Sequence, residues 1–72
     1  MITIDKTSPD GNVFCILGAA KSVQRQLRKE GIENETLNDV LANYTKMKYE
    51  QICEKLEDTG FFLFVDHNAE ED

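Results

Sequence analysis

Lys21, Arg25, Arg28 and Lys29 lie within nine residues, at the spacing i, i+4, i+7, i+8. On a helix that spacing draws the four cations into one row, which can meet phosphates or carboxylates as a unit. The row lies away from Ile16, Ala20, Val23 and Leu27, the apolar stripe of the same segment. Solvation is the ordinary fate of cations opposite a core stripe, and Gln24 and Gln26 add hydrogen-bonding capacity without deciding between the readings. Helical geometry carries the same side back to Gly18 and Phe14. An aromatic beside a glycine notch and a cation row is a docking spot for a protein partner; packing under the preceding loop, residues 6–12, is the structural alternative. Gly18 in mid-helix costs about 1 kcal/mol relative to alanine, so another element is expected to approach closely there. Phe14, Gly18, Lys21, Arg25 and Arg28 are therefore the candidate partner-binding residues.

Catalytic chemistry is poorly supplied. His67 is the single histidine and falls in an acidic terminal stretch, and no nucleophile has a base at motif spacing. Cys15 and Cys53 sit in apolar runs rather than in a C-x-x-C pair, so both are expected as buried free thiols and not as a disulfide or a zinc site. Ser8-Pro9-Asp10-Gly11-Asn12 before a helix offers free amides to an anion, but Asp10 repels phosphate and no Gly-rich phosphate motif is present. A turn and helix cap is the expected role. Neither enzymatic activity nor a cofactor or metal is expected.

The elements that position these residues follow from periodicity. Ile2-Thr3-Ile4 alternates as a short strand, and Ser8 to Gly11 suits a turn. Asn12 or Asp10 then caps a helix over 13–30, which ends at Gly31. The first half of that helix is apolar all round, and is expected to be covered on more than one side. Thr36 with Asp39 approximates a capping box for a short helix ending near Tyr44, and Thr45 can cap a third helix carrying Tyr49, Ile52, Cys53 and Leu56 before Gly60. Phe61 to Val65 is a strand with both faces apolar. The expected fold is α+β, in the order strand-helix-helix-helix-strand, with a small two-stranded sheet packed on helices. Residues 1–66 form the domain and 67–72 an acidic tail. If the short helix only turns a corner, the strands pair antiparallel; if it spans the layer, they pair in parallel. Antiparallel pairing is the expectation.

Three helices on one face of two strands leave the other face open. Each exposed phenylalanine there forfeits roughly 1.5–3 kcal/mol of burial. Phe62 and Phe64, or their neighbours Phe61, Leu63 and Val65, would meet water there; either the strand pairs with a second copy, with Phe62 and Phe64 as the dimerisation residues, or the open face docks on another surface, unless the loop 6–12 and the tail fold back over it. A homodimer is the preferred expectation.

The 72 residues carry 14 acidic against 8 basic groups, a net charge of −6 that repels nucleic acid as a whole without excluding a local basic site. No run approaches the roughly 20 apolar residues of a membrane span, and the start lacks a signal-peptide pattern, so a soluble, cytoplasmic protein is expected. Ile2-Thr3-Ile4-Asp5 and Thr7-Ser8-Pro9-Asp10-Gly11-Asn12-Val13-Phe14, with Ile16-Leu17-Gly18, resemble the opening of a group of short uncharacterised phage and prophage proteins. Tyr49-Glu50-Gln51-Ile52 and Gly60 to Val65 are the counterparts of that group's later segments, with Val13 where alanine is usual and Lys48 in place of an aspartate. The resemblance implies a mobile-element context and no particular chemistry. The reading that results is a non-enzymatic interaction module, a phage accessory factor that binds a host or phage protein through its acidic surface or its Phe14 region. The alternative is a nucleic-acid or nucleotide binder that uses the basic row.

Overall fold

Asparagine side chains start the two helices that carry the basic row and its neighbour. Asn12 Oδ1 accepts from Cys15 N–H at 2.9 Å, and α1 runs Val13–Lys29. Asn34 Oδ1 accepts from Leu37 N–H at 3.0 Å, and α2 runs Glu35–Asn43. Each satisfies a first-turn amide that the helix cannot pair internally. Asn34 therefore replaces the expected Thr36 cap. The third helix, α3 (Tyr49–Asp58), follows a 3-10 turn at Tyr44–Lys46; its N-cap is Lys48 rather than Thr45, with Gln51 Oε1 accepting from Lys48 N–H at 3.3 Å. Gly31 and Gly60, at φ 76° and 85°, end α1 and α3 in the left-handed conformation.

The structure is a computed structural model that describes residues 1–66; the expected acidic tail, 67–72, lies outside the described residues. It is an α+β chain, strand β1 (Ile2–Asp5), then a 3-10 turn at Pro9–Gly11, α1, α2, α3 and strand β2 (Phe62–Val65). The strands pair in parallel, Ile2 with Phe62 through Asp5 with Val65, and not antiparallel. The reason lies in α2, which packs against both α1 and α3. It crosses the layer as a full pass instead of turning a corner, so three helical passes return the chain to the end where β1 began. A parallel pair needs a crossover of this kind.

Alternation along the strands decides which side chains enter the core. Ile4, Phe62 and Phe64 are buried against the helices with Ile16, Leu17, Ala20, Leu37, Val40, Ile52 and Leu56. The rings of Phe62 and Phe64 stack with centroids 6.2 Å apart, and are 2% and 8% exposed. The expected dimerisation residues are thus enclosed by a single chain and offer nothing to a second one. Two rings on one strand face fit under three helices, which removes the physical need that pointed to them. On the opposite face Leu63 is 43% exposed, with Phe61 and Val65 half-buried.

A tight knot ties the end of β1 to α1 and α3. Asp5 Oδ1 accepts from Thr7 N–H and from the Thr7 hydroxyl, and Ser8 Oγ donates to Asp5 O at 2.8 Å. The Tyr49 hydroxyl donates to the carbonyl of Gly11, and Lys6 Nζ lies 3.0 Å from Glu50 Oε2. Gly11 is buried so closely that a Cβ there would stand 2.6 Å from Lys6 O and 2.7 Å from Asp5 O.

Candidate functional site

One flank of α1 collects all five residues expected to bind a partner. Phe14, Gly18, Lys21, Arg25 and Arg28 are spaced 4, 3, 4, 3, so they form a row running nearly along the helix axis, about 21 Å long at 1.5 Å per residue. All five are exposed, Phe14 to 79%. The expectation that another element approaches Gly18 is not met: a Cβ there would meet nothing within 4 Å. The first half of α1 is likewise open and not covered on a second side, with Phe14 and Cys15 both exposed. The thiol of Cys15 is therefore at the surface, and only Cys53 is buried.

The cation end of the row forms one wall of an open groove between α1 and α2. Lys21, Gln24, Arg25 and Arg28 face Asn38, Leu41 and Ala42 across a volume of about 630 Å³. A relay of polar contacts ties the two helices together. Gln24 Nε2 donates to Asn38 Oδ1 at 2.7 Å, Asn38 Nδ2 donates to Glu33 Oε2 at 2.8 Å, and Glu33 Oε1 lies 3.3 Å from Arg28 Nε. Arg28 is thus held in place and partly compensated. Lys21 and Arg25 meet no carboxylate among the described residues. Lys29 is not part of the groove wall, although its spacing placed it in the row.

The second wall was not anticipated from the sequence. Its signal was the short connection from Glu30 to Asn34, which forces α1 and α2 to lie side by side, so that polar residues on the facing side of α2 had to join the row.

The remaining reactive groups lie outside the groove wall. Burial pushes the Cys53 thiol above its ordinary range and, as the largest cause, does the same to the Tyr49 phenol. The hydrogen bond to Glu50 raises Lys6. His67 lies outside the described residues. Among the described residues no group of three or more His, Cys, Asp or Glu is placed to hold a metal ion, and no helix is long and apolar enough to cross a membrane. What the site offers chemically is positive charge at Lys21, Arg25 and Arg28, carboxamides at Gln24 and Asn38, and apolar side chains at Leu41 and Ala42. Compared with protein-family models, curated proteins and solved structures, the chain matches none of them.

Proposed function

We propose that the chain is a non-enzymatic interaction module, an accessory factor that docks an acidic amphipathic segment of a partner protein along the α1–α2 groove. The observation that carries this reading is the pairing, on one straight row, of two uncompensated cations, Lys21 and Arg25, with an aromatic at 79% exposure. A helix laid into the groove would bring carboxylates to Lys21 and Arg25, apolar side chains to Leu41 and Ala42, and one apolar anchor to Phe14 beside the open notch at Gly18. The net charge of −6 does not oppose this locally, because charges beyond a screening length of about 8 Å contribute little at physiological salt. Nucleic acid is less well served: three cations in one short row neutralise few phosphates, and the rest of the surface repels them.

Fluorescence anisotropy tests the reading, with a panel of acidic amphipathic peptides that carry glutamates at three- and four-residue spacing and a leucine at one end. Binding is expected, weakened tenfold or more in the double variant Lys21→Glu, Arg25→Glu and several-fold in Phe14→Ala. A DNA oligonucleotide that binds more tightly than every peptide, with a log–log salt slope near −0.9 per phosphate, would contradict it.

A further inference from the structure

The other flank of α1 borders an open strand edge. Ile2 N–H donates to Phe61 O and Lys6 N–H to Val65 O, both at 2.8 Å. In a parallel ladder residues alternate between facing the partner strand and facing away, so Ile2, Ile4 and Lys6 bond to β2 while Thr3 turns its N–H and C=O outward. The outward edge of β2 is treated differently: Glu57 Oε2 of α3 accepts from Phe64 N–H at 3.3 Å. That edge has one of its donors taken by its own helix. The other faces a groove of about 240 Å³ lined by Ile2, Thr3, Ile4, Asp10, Cys15 and Ala19.

We infer that this edge pairs with the same edge of a second copy, antiparallel and centred on Thr3, to give a four-stranded sheet ordered β2-β1-β1-β2. The pattern around Thr3 reads the same in both directions, with an isoleucine on each side. A two-fold axis through Thr3 therefore sets Ile2 of one copy against Ile4 of the other on the groove side, and Thr3 against Thr3 on the opposite face. Both are favourable cross-strand pairs. Directly opposed residues in such a pair exchange both backbone hydrogen bonds, so the outward N–H and C=O of each Thr3 are satisfied at once. Ile2 is 37% and Met1 83% exposed in the single chain, so apolar surface is available to cover. Asp10 is the one charged residue of the groove wall. It follows the Asp5–Lys6 end of β1, so the two-fold places its two copies at opposite ends of the new pair. The Glu57 bond makes the association stop at two, because head-to-tail growth of β1 on β2 would have to displace it. Cys15 and Ala19 lie on the flank of α1 opposite Lys21 and Arg25, so the dimer leaves the basic groove open.

Sedimentation equilibrium from the low micromolar to the submillimolar range is expected to give twice the single-chain mass at the upper end. Thr3→Pro removes the outward donor and spares every bond to β2, so it is expected to remain folded by circular dichroism and to sediment as a single chain. Ile2→Lys is the second edge variant, expected to do the same. Leu63→Lys, on the outer face, is expected to leave the dimer intact. As an independent readout, alkylation of Cys15 by iodoacetamide is expected to slow several-fold as concentration rises through the transition. A single-chain mass throughout overturns the inference, as does a dimer that survives both edge variants, one that is lost with Leu63→Lys alone, or a Cys15 rate independent of concentration.

Discussion

Replacing two glycines of this chain by alanine should move stability in opposite directions. At Gly11 the new Cβ would lie 2.6 Å from Lys6 O, 2.7 Å from Asp5 O and 2.7 Å from Lys6 Cα, all of them backbone atoms at the end of β1. Ordinary contact begins near about 3.5 Å, so the strand end must retreat by roughly 1 Å. Forced repacking of that kind costs about 1–3 kcal/mol, and disturbing the Tyr49 hydroxyl bond to Gly11 O adds about 1 kcal/mol. At Gly18 nothing lies within 4 Å, and the residue sits inside α1. There alanine gains helix propensity worth about 0.5–1 kcal/mol. With roughly 4–8 °C of Tm per kcal/mol for a domain of this size, Gly11→Ala should melt roughly 8–32 °C below the parent and Gly18→Ala roughly 2–8 °C above it. Thermal unfolding by circular dichroism at one fixed protein concentration reads both, since association would otherwise shift Tm by mass action. A Gly11→Ala protein melting within two or so degrees of the parent would refute the close packing of turn on strand. A Gly18→Ala protein melting lower would show that another element does cover that notch. Gly18→Ala also separates stability from binding, since a more stable protein that binds acidic peptides less well places the partner against the notch.

Three further outcomes follow from the same geometry. Phe62→Ala empties a site that is 2% exposed and should cost about 3–5 kcal/mol, a large part of the whole stability, visible as a greatly lowered urea midpoint; a loss below about 1 kcal/mol would deny that the ring is core. Asn34→Ala removes the acceptor for Leu37 N–H and should lower stability by about 1 kcal/mol, whereas Thr36→Ala, at a position that caps nothing, should cost less; equal losses would count against Asn34 as the α2 cap. Cys53 and Tyr49, through burial, and Lys6, through its bond to Glu50, all hold their protons more tightly in the folded chain. The unfolded chain releases those protons first, so the contribution is fully present below the unfolded thiol range near about 8.5 and is lost as pH rises through the raised folded values. Urea midpoints should thus fall from about pH 8.5 upward, and a midpoint that rises between pH 8.5 and 10 would contradict the assignment.

The parts of the fold that were legible in the sequence are those set by local spacing. The buried face of α1 at Ile16, Ala20 and Leu27, its stop at Gly31, and the stripe Ile52, Cys53 and Leu56 of α3 all follow from period and capping chemistry. Strand direction did not, because it depends on whether α2 crosses the layer or turns a corner, and a nine-residue helix permits either. The cap at Asn34 does not stand out from Thr36, which has the same local chemistry, and Lys48 gives no signal as a cap because its side chain accepts nothing, the contact there being Lys48 N–H donating to Gln51 Oε1. From sequence alone Phe62 and Phe64 read as dimerisation residues, because an all-apolar strand does not say which face its own helices cover. The basic row was legible from spacing alone. Its opposing wall at Asn38, Leu41 and Ala42 was not, since that depends on how α2 sits against α1.

Under the proposed function, the Phe14–Arg28 row and the facing side of α2 receive an acidic segment. An amide-resolved NMR titration with the tightest-binding acidic peptide measures this directly. Shift changes are predicted to concentrate at Phe14, Gly18, Lys21, Arg25, Arg28, Asn38 and Ala42 and to leave Thr3, Ile4 and α3 unmoved. Changes centred on β1, β2 or α3, or a response confined to a DNA oligonucleotide, would contradict it.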